Sequence, residues 1–163
     1  MHTSSLNLMA SLLGKIEKRL GLLTVRPLIL DVGSFDVNGS YRSMVTGRGW
    51  EYVGIDQQAG PNVDRVLSVF DLPSAVDRPA DVVISGQMLE HCEDPIWAVE
   101  AMRAVLRPGG VIALIAPWSW EIHRYPIDCW RILPDGMEYM LRGLSDIEVG
   151  VCERDCWGIA TRP

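Results

Sequence analysis

The chain has 163 residues, 48% of them apolar and 22% charged, which suits one ordinary core and leaves little for a second. Lys+Arg 15 against Asp+Glu 21 gives a formal charge of −6 with no basic cluster, so nucleic acid is not expected as a main partner. No apolar run approaches the roughly 20 residues needed to cross a bilayer, so no membrane partner is expected either.

The first residues lack the charged start, long apolar stretch and cleavage site of a signal peptide. Leu6, Leu8, Met9, Leu12, Leu13, Ile16 and Leu20 recur at helical spacing, with Ser4 or Ser5 as cap and Gly21 as stop. This predicts a helix over 4–20 that either packs on the domain or closes over its site. The expected organisation is residues 1–21 as that helix and 22–163 as one Rossmann-like domain.

Residues 28–32, LILDV, are a short apolar run of the kind found in buried parallel strands. A short helix is expected over 38–47, and strands over 51–56, 64–70 and 80–85. Pro95 opens a helix that continues to Leu106, and Pro108-Gly109-Gly110 turns the chain into a strand over 111–117. Pro134 starts another helix, to about Leu141. Strands over 147–153 and 156–162 close the chain. Arg154 and Asp155 are too few for a parallel crossover, so that last pair is antiparallel. The expected fold is α/β and doubly wound, with a mostly parallel seven-stranded sheet, an antiparallel last strand and helices on both faces.

Cys92, Cys129, Cys152 and Cys156 form no CxxC pair and fit no common zinc or redox spacing. Four reduced structural thiols are expected, which suits the cytoplasm.

The first strand runs into Asp31-Val-Gly33-Ser34-Phe35-Asp-Val-Asn38-Gly39-Ser40. A small residue just past such a strand lets backbone approach a ligand at the carboxyl edge of the sheet, although a plain tight turn would read the same way. The loop lacks GxGxxG, which argues against an NAD-dependent oxidoreductase. Asp56 ends the second predicted strand, where a carboxylate can accept hydrogen bonds from both hydroxyls of a ribose. Loop and acid together point to a nucleoside-bearing cofactor.

Three further segments narrow the class: DLP at 71–73, ADVVISGQMLEHCEDP at 80–95 and MRAVLRPGGVIALIAP at 102–117. With the loop and Asp56, they resemble class I S-adenosylmethionine-dependent methyltransferases over roughly residues 27–118. HRYPIDCWRILPDGM at 123–137 resembles a subgroup, many of whose members act on small molecules or sugar-derived substrates. The resemblance implies S-adenosyl-L-methionine as cofactor and a small-molecule or saccharide-like acceptor. It implies that Asp31, Gly33 and Ser34 line the methionine end, with Gly39 shaping the turn. It places Asp56 on the ribose hydroxyls, Gln57 beside the adenine, Asp71 on the adenine amino group and Leu72 against the ring. Ser85, Gly86 and Gln87 would face the transferable methyl group. Phe35 departs from the family pattern, standing where a second glycine is expected.

Methyl transfer needs the acceptor held in line with the methyl carbon, and a base if the acceptor is a hydroxyl. His91 and His123 are the candidate bases. Asp128 either orients His123 or simply pairs with Arg131, and Arg131 otherwise binds an anionic substrate group. Glu90, His91 and His123 are possible metal ligands, but Gln87 stands where an acid would be more persuasive, and no metal is expected. Trp118, Trp120, Tyr125 and Trp130 either attract the sulfonium through their rings or pack a loop. The rival reading is a catalytically inactive binding module of the same fold.

Overall fold

The computed structural model describes residues 3–21 and 26–163; the expected boundary at residues 21 and 22 adjoins positions outside that set. Seven strands form one sheet: β1 (Leu28–Val32), β2 (Glu51–Asp56), β3 (Arg65–Val66), β4 (Ala80–Gly86), β5 (Leu106–Pro117), β6 (Ser145–Cys152) and β7 (Asp155–Thr161). Their order is β3-β2-β1-β4-β5-β7-β6. β1 pairs in parallel with β2 and β4, and β4 with β5, whereas β7 runs antiparallel to both β5 and β6. The sheet is thus seven-stranded and mostly parallel, with an antiparallel last strand, as the sequence pattern predicts.

Alternation along the strands divides the core into two layers. Leu28, Leu30 and Val32 of β1 face one layer, with Ala98, Val99 and Met102 of α4 (Pro95–Ala104) and Met137 and Met140 of α5 (Pro134–Met140). Ile29 faces the other, with Met9, Leu12, Leu13 and Ile16 of α1 (Thr3–Leu20) and Val45 of α2 (Arg42–Thr46). The apolar stripe of α1 is therefore spent on the sheet face. No helix among the described residues is long and apolar enough to cross a membrane.

Three elements differ from expectation. The strand over 64–70 shrinks to Arg65–Val66, because after Leu67 donates to the carbonyl of Asp56 the chain leaves the sheet edge. The Ser68 hydroxyl then accepts from the Phe70 amide and starts a single 3-10 turn, Val69–Asp71, just before α3 (Leu72–Ala75). Residues 38–41 are loop and not helix: Asp36 accepts from the Gly39 amide and Ser40 from the Arg42 amide. Pro108-Gly109-Gly110 is a bulge inside β5, opposite a register shift between Ala80 and Val82 of β4.

From β1 the chain winds outward through β2 and β3, then returns to place β4 on the other side of β1. The strand order reverses between β1 and β4. In a doubly wound sheet that is where a crevice opens at the carboxyl ends of the strands.

Candidate active site

A two-lobed cleft opens at that edge. The first lobe, of about 400 Å³, is lined by Ile55, Leu67, Val69, Phe70, Cys92 and Ile127 among others. The second, of about 270 Å³, is lined by Phe35, Gly86, Gln87, His123, Arg124 and Tyr125 among others. Gly33, Asp56, Gln57, Met88 and His91 belong to both and form the junction.

Gly33 sits at φ +85°, and a Cβ there would lie 2.5 Å from Cγ of Met88, so only glycine lets the two chain segments meet. Its amide and that of Ser34 donate to the carbonyl of Ile55, which fastens the loop to the end of β2. The Asp56 carboxylate accepts from the amides of Phe35 (3.2 Å) and Gln58 (3.0 Å). Two lone pairs on its oxygens remain for a ligand. The Phe35 ring leans on Gly60, where a Cβ would fall 2.1 Å from its edge, and lies 6.4 Å from the Tyr125 ring.

Of the predicted cofactor residues, Gly33, Asp56, Gln57, Gly86 and Gln87 therefore line the cleft. Asp31, Ser34, Gly39, Asp71, Leu72 and Ser85 line neither lobe. Asp31 is buried and accepts from the Tyr52 hydroxyl, and burial pushes its carboxyl up to about 7. Ser34 and Ser85 are buried and donate to the carbonyls of Asn62 and Val32. Gly39 faces Leu6 of α1. Leu72 is fully buried in the core, and Asp71 is exposed at the end of the 3-10 turn. The preceding Val69 and Phe70 take the lining positions, because the turn rotates Leu72 inward. The Gln87 amide donates to Asp155, so its side chain is already engaged.

The loop after β5 builds the far wall. Asp128 accepts from the His123 amide (2.7 Å) and from both terminal nitrogens of Arg131 (2.6 and 2.8 Å). These charge-assisted bonds, above all that from Arg131, hold its carboxyl well below the usual range. Arg131 also donates to the carbonyls of Trp120, Glu121 and Trp130. All five of its N–H groups are then used, which leaves none for an anionic substrate. The pair is a loop clamp, not an isolated surface bridge. Trp118 and Trp130 donate to the carbonyls of Glu153 and Cys92, and Trp120 lies under Arg154. Of the four clustered aromatics only Tyr125 lines the cleft.

The structure brings His91 and His123 together, ring centroids 5.0 Å apart. The Nδ1 atoms face the carbonyls of Ile127 (2.6 Å) and Glu121 (3.0 Å). A carbonyl only accepts, so each proton sits on Nδ1 and each Nε2 is left with a lone pair. Between them lies Glu90, fully buried, with no hydrogen bond to either side-chain oxygen; burial pushes its carboxyl up to about 8. Burial also lowers the affinity of His91 for a proton. Cys92 and Cys156 are buried, whereas Cys129 and Cys152 are exposed and so add nothing to the core.

Residues 30–114 match the family model described as a methyltransferase domain. The chain belongs to that family, and the fold is that of S-adenosylmethionine-dependent methyltransferases. One solved structure of this fold is such an enzyme from Archaeoglobus fulgidus, at TM-score 0.71 and 14% identity, covering 97% of this chain and 95% of the other. Another is the N-methyltransferase NodS from Bradyrhizobium japonicum WM9 bound to S-adenosyl-L-homocysteine, at TM-score 0.69 and 13% identity, covering 96% and 87%. The CurJ carbon methyltransferase is also similar, at TM-score 0.73 and 15% identity, although this chain spans only 53% of it. No curated protein sequence matches the chain.

Proposed function

We propose that the protein moves a methyl group from S-adenosylmethionine to a small-molecule or saccharide-like acceptor bound in the second lobe. The observation that carries this reading is the junction of the two lobes at Gly33, Asp56, Gln57, Met88 and His91. A nucleoside in the first lobe and an acceptor in the second would meet there. Lobes of 400 and 270 Å³ suit metabolite-sized ligands.

The cofactor, when bound, supplies an activated methyl group on a sulfonium. The chain's own residues do the rest. Val69 and Phe70 offer an apolar slot for the adenine, and the remaining lone pairs of Asp56 accept from the ribose hydroxyls. Gly33 and Gly86 line the cleft where the methionine end would lie, each packed closely on a neighbouring side chain, Met88 and Tyr41. His91 and His123 assist removal of the acceptor's proton, and Asp128 is the positioning residue that fixes the backbone of His123. Holding acceptor and methyl group in one geometry is the main contribution, worth roughly 7–11 kcal/mol in well-oriented systems. The similar folds include enzymes named for transfer to nitrogen and to carbon, so the acceptor atom is set by the second lobe and not by the sheet.

Calorimetric titration with S-adenosylmethionine tests the placement. Asp56→Ala should weaken binding by at least about 10-fold, since a charged hydrogen-bond acceptor contributes roughly 1.5–3 kcal/mol. Unchanged affinity would overturn it.

A further inference from the structure

We propose that Glu90, His91 and His123 form a binding site for one divalent transition-metal cation on the wall of the second lobe. The inference rests on the reading of that lobe as the acceptor site, and it assigns the lobe a ligand of its own. One donor atom from each of the three residues lies within 4.8 Å of the other two. Oε1 of Glu90 stands 3.8 Å from Nε2 of His91 and 3.9 Å from Nε2 of His123. Donors around a cation at bonds of about 2.1 Å sit roughly 3–4 Å apart, so closing the set needs shifts of about 1 Å or less per side chain.

Two independent features point the same way. Both imidazoles are held through Nδ1 on backbone carbonyls, which turns the Nε2 lone pairs toward the carboxylate. Metal-ligating histidines are oriented by this kind of outer bond. The Glu90 oxygens are fully buried without any partner, a rare condition in a folded protein, where such a group is nearly always satisfied or reserved for a ligand. A cation would satisfy them.

Two imidazoles and one carboxylate suit zinc, manganese, iron(II) or cobalt better than magnesium or calcium, which prefer oxygen. The absence of an acid at position 87 does not weaken the set, because Gln87 is engaged with Asp155 and three protein ligands suffice for an open site. Both histidines line the acceptor lobe, so the open positions face it. The site therefore favours acceptors that bring an oxygen donor, a hydroxyl or carboxylate, close to the reacting atom. A bound cation makes such a hydroxyl more acidic, and in the loaded site this takes the place of proton removal by His91 and His123, whose Nε2 lone pairs are then on the cation.

The test uses the full chain, stripped of metal with a chelator and titrated with Co²⁺ by visible absorption and with Zn²⁺ by calorimetry, without S-adenosylmethionine. One Co²⁺ per chain should bind, with d–d bands and no thiolate charge-transfer band. Glu90→Gln and His123→Ala should each weaken binding by more than about 10-fold. His123, on the partly exposed loop, decides the matter if the buried substitution disturbs folding. No uptake by the parent chain, a thiolate band, or parent-like binding by the His123 variant would overturn the site. S-adenosylmethionine titrated into the same samples separates the two readings. Cation binding with no cofactor binding would sink the cofactor placement and leave the cation site supported.

Discussion

Two enclosed carboxyl groups flank the same imidazole and behave in opposite ways. His123 has Nδ1 3.4 Å from Asp128 and Nε2 3.9 Å from Glu90. The Asp128 side chain is 1% exposed and that of Glu90 0%. Asp128 takes a backbone amide and a bidentate guanidinium and keeps its charge far into acid. Glu90 takes nothing and holds its proton up to about pH 8. Both side chains are covered from solvent, but Glu90 lies deeper; burial without donors raises its carboxyl, whereas the Arg131 guanidinium and the His123 amide hold that of Asp128 down.

The largest effect should come from the satisfied acid. Asp128→Ala removes the bidentate acceptor of Arg131 and the acceptor of the His123 amide and so loosens the loop, and urea unfolding should show a loss of about 2–3 kcal/mol. A loss below 1 kcal/mol would break the contrast. The Asp128 contribution is present above the ordinary carboxylate range and is lost as pH falls through its depressed folded value.

Asp31, with one bond from Tyr52, is the intermediate case, and its sign is opposite. Its folded value, about 7, lies above the unfolded one, so the folded state holds the extra proton and stability falls as pH rises from about 4 to 7. Asp31→Asn removes that slope. Its advantage in melting experiments should grow across this range to about 1–3 kcal/mol and then level off. A constant difference across pH would contradict the burial argument.

Smaller still, Glu90→Met should be neutral or raise stability by about 1 kcal/mol, because it removes unsatisfied oxygens at nearly constant volume. Destabilisation comparable to Asp128→Ala would mean that Glu90 has a partner in solution. Least of all in stability terms, Tyr125→Ala at the cleft mouth should leave the melting temperature within about 2 °C and raise the apparent KM for the acceptor. An altered affinity for S-adenosylmethionine with unchanged acceptor KM would move Tyr125 to the cofactor side.

Much of this molecule was legible in its sequence because the signals are local. LILDV, EYVGID and VIALIAP read as buried strands from runs of apolar residues, and Pro95 and Pro134 mark the starts of α4 and α5. The short link at Glu153 and Arg154 sets the antiparallel direction of β7 by chain length alone. The position of Gly33 and Asp56 at the cleft is legible because strand ends in a doubly wound sheet fall at the crevice.

What the sequence did not show depends on side-chain direction and on contacts between distant segments. Ser68 caps a turn after which Leu72 lies in the core while Val69 and Phe70 line the cleft, and composition carries no marker of that placement. The sequence leaves Arg131 open between a partner of Asp128 and a substrate anchor, and only its five donors, two on Asp128 and three on carbonyls of its own loop, decide between them. The meeting of Glu90 and His91 with His123 requires the loop after β5 to fold back over the end of β4, and backbone bonds from Cys129 and Trp130 to the Glu90 carbonyl hold it there. Sequence by itself determined the strands and the direction of the last pair, because periodicity and chain length act over a few residues, and the resemblance of its motifs supplied the chemical class. Only tertiary structure decided which acids are satisfied, because their donors come from other parts of the chain.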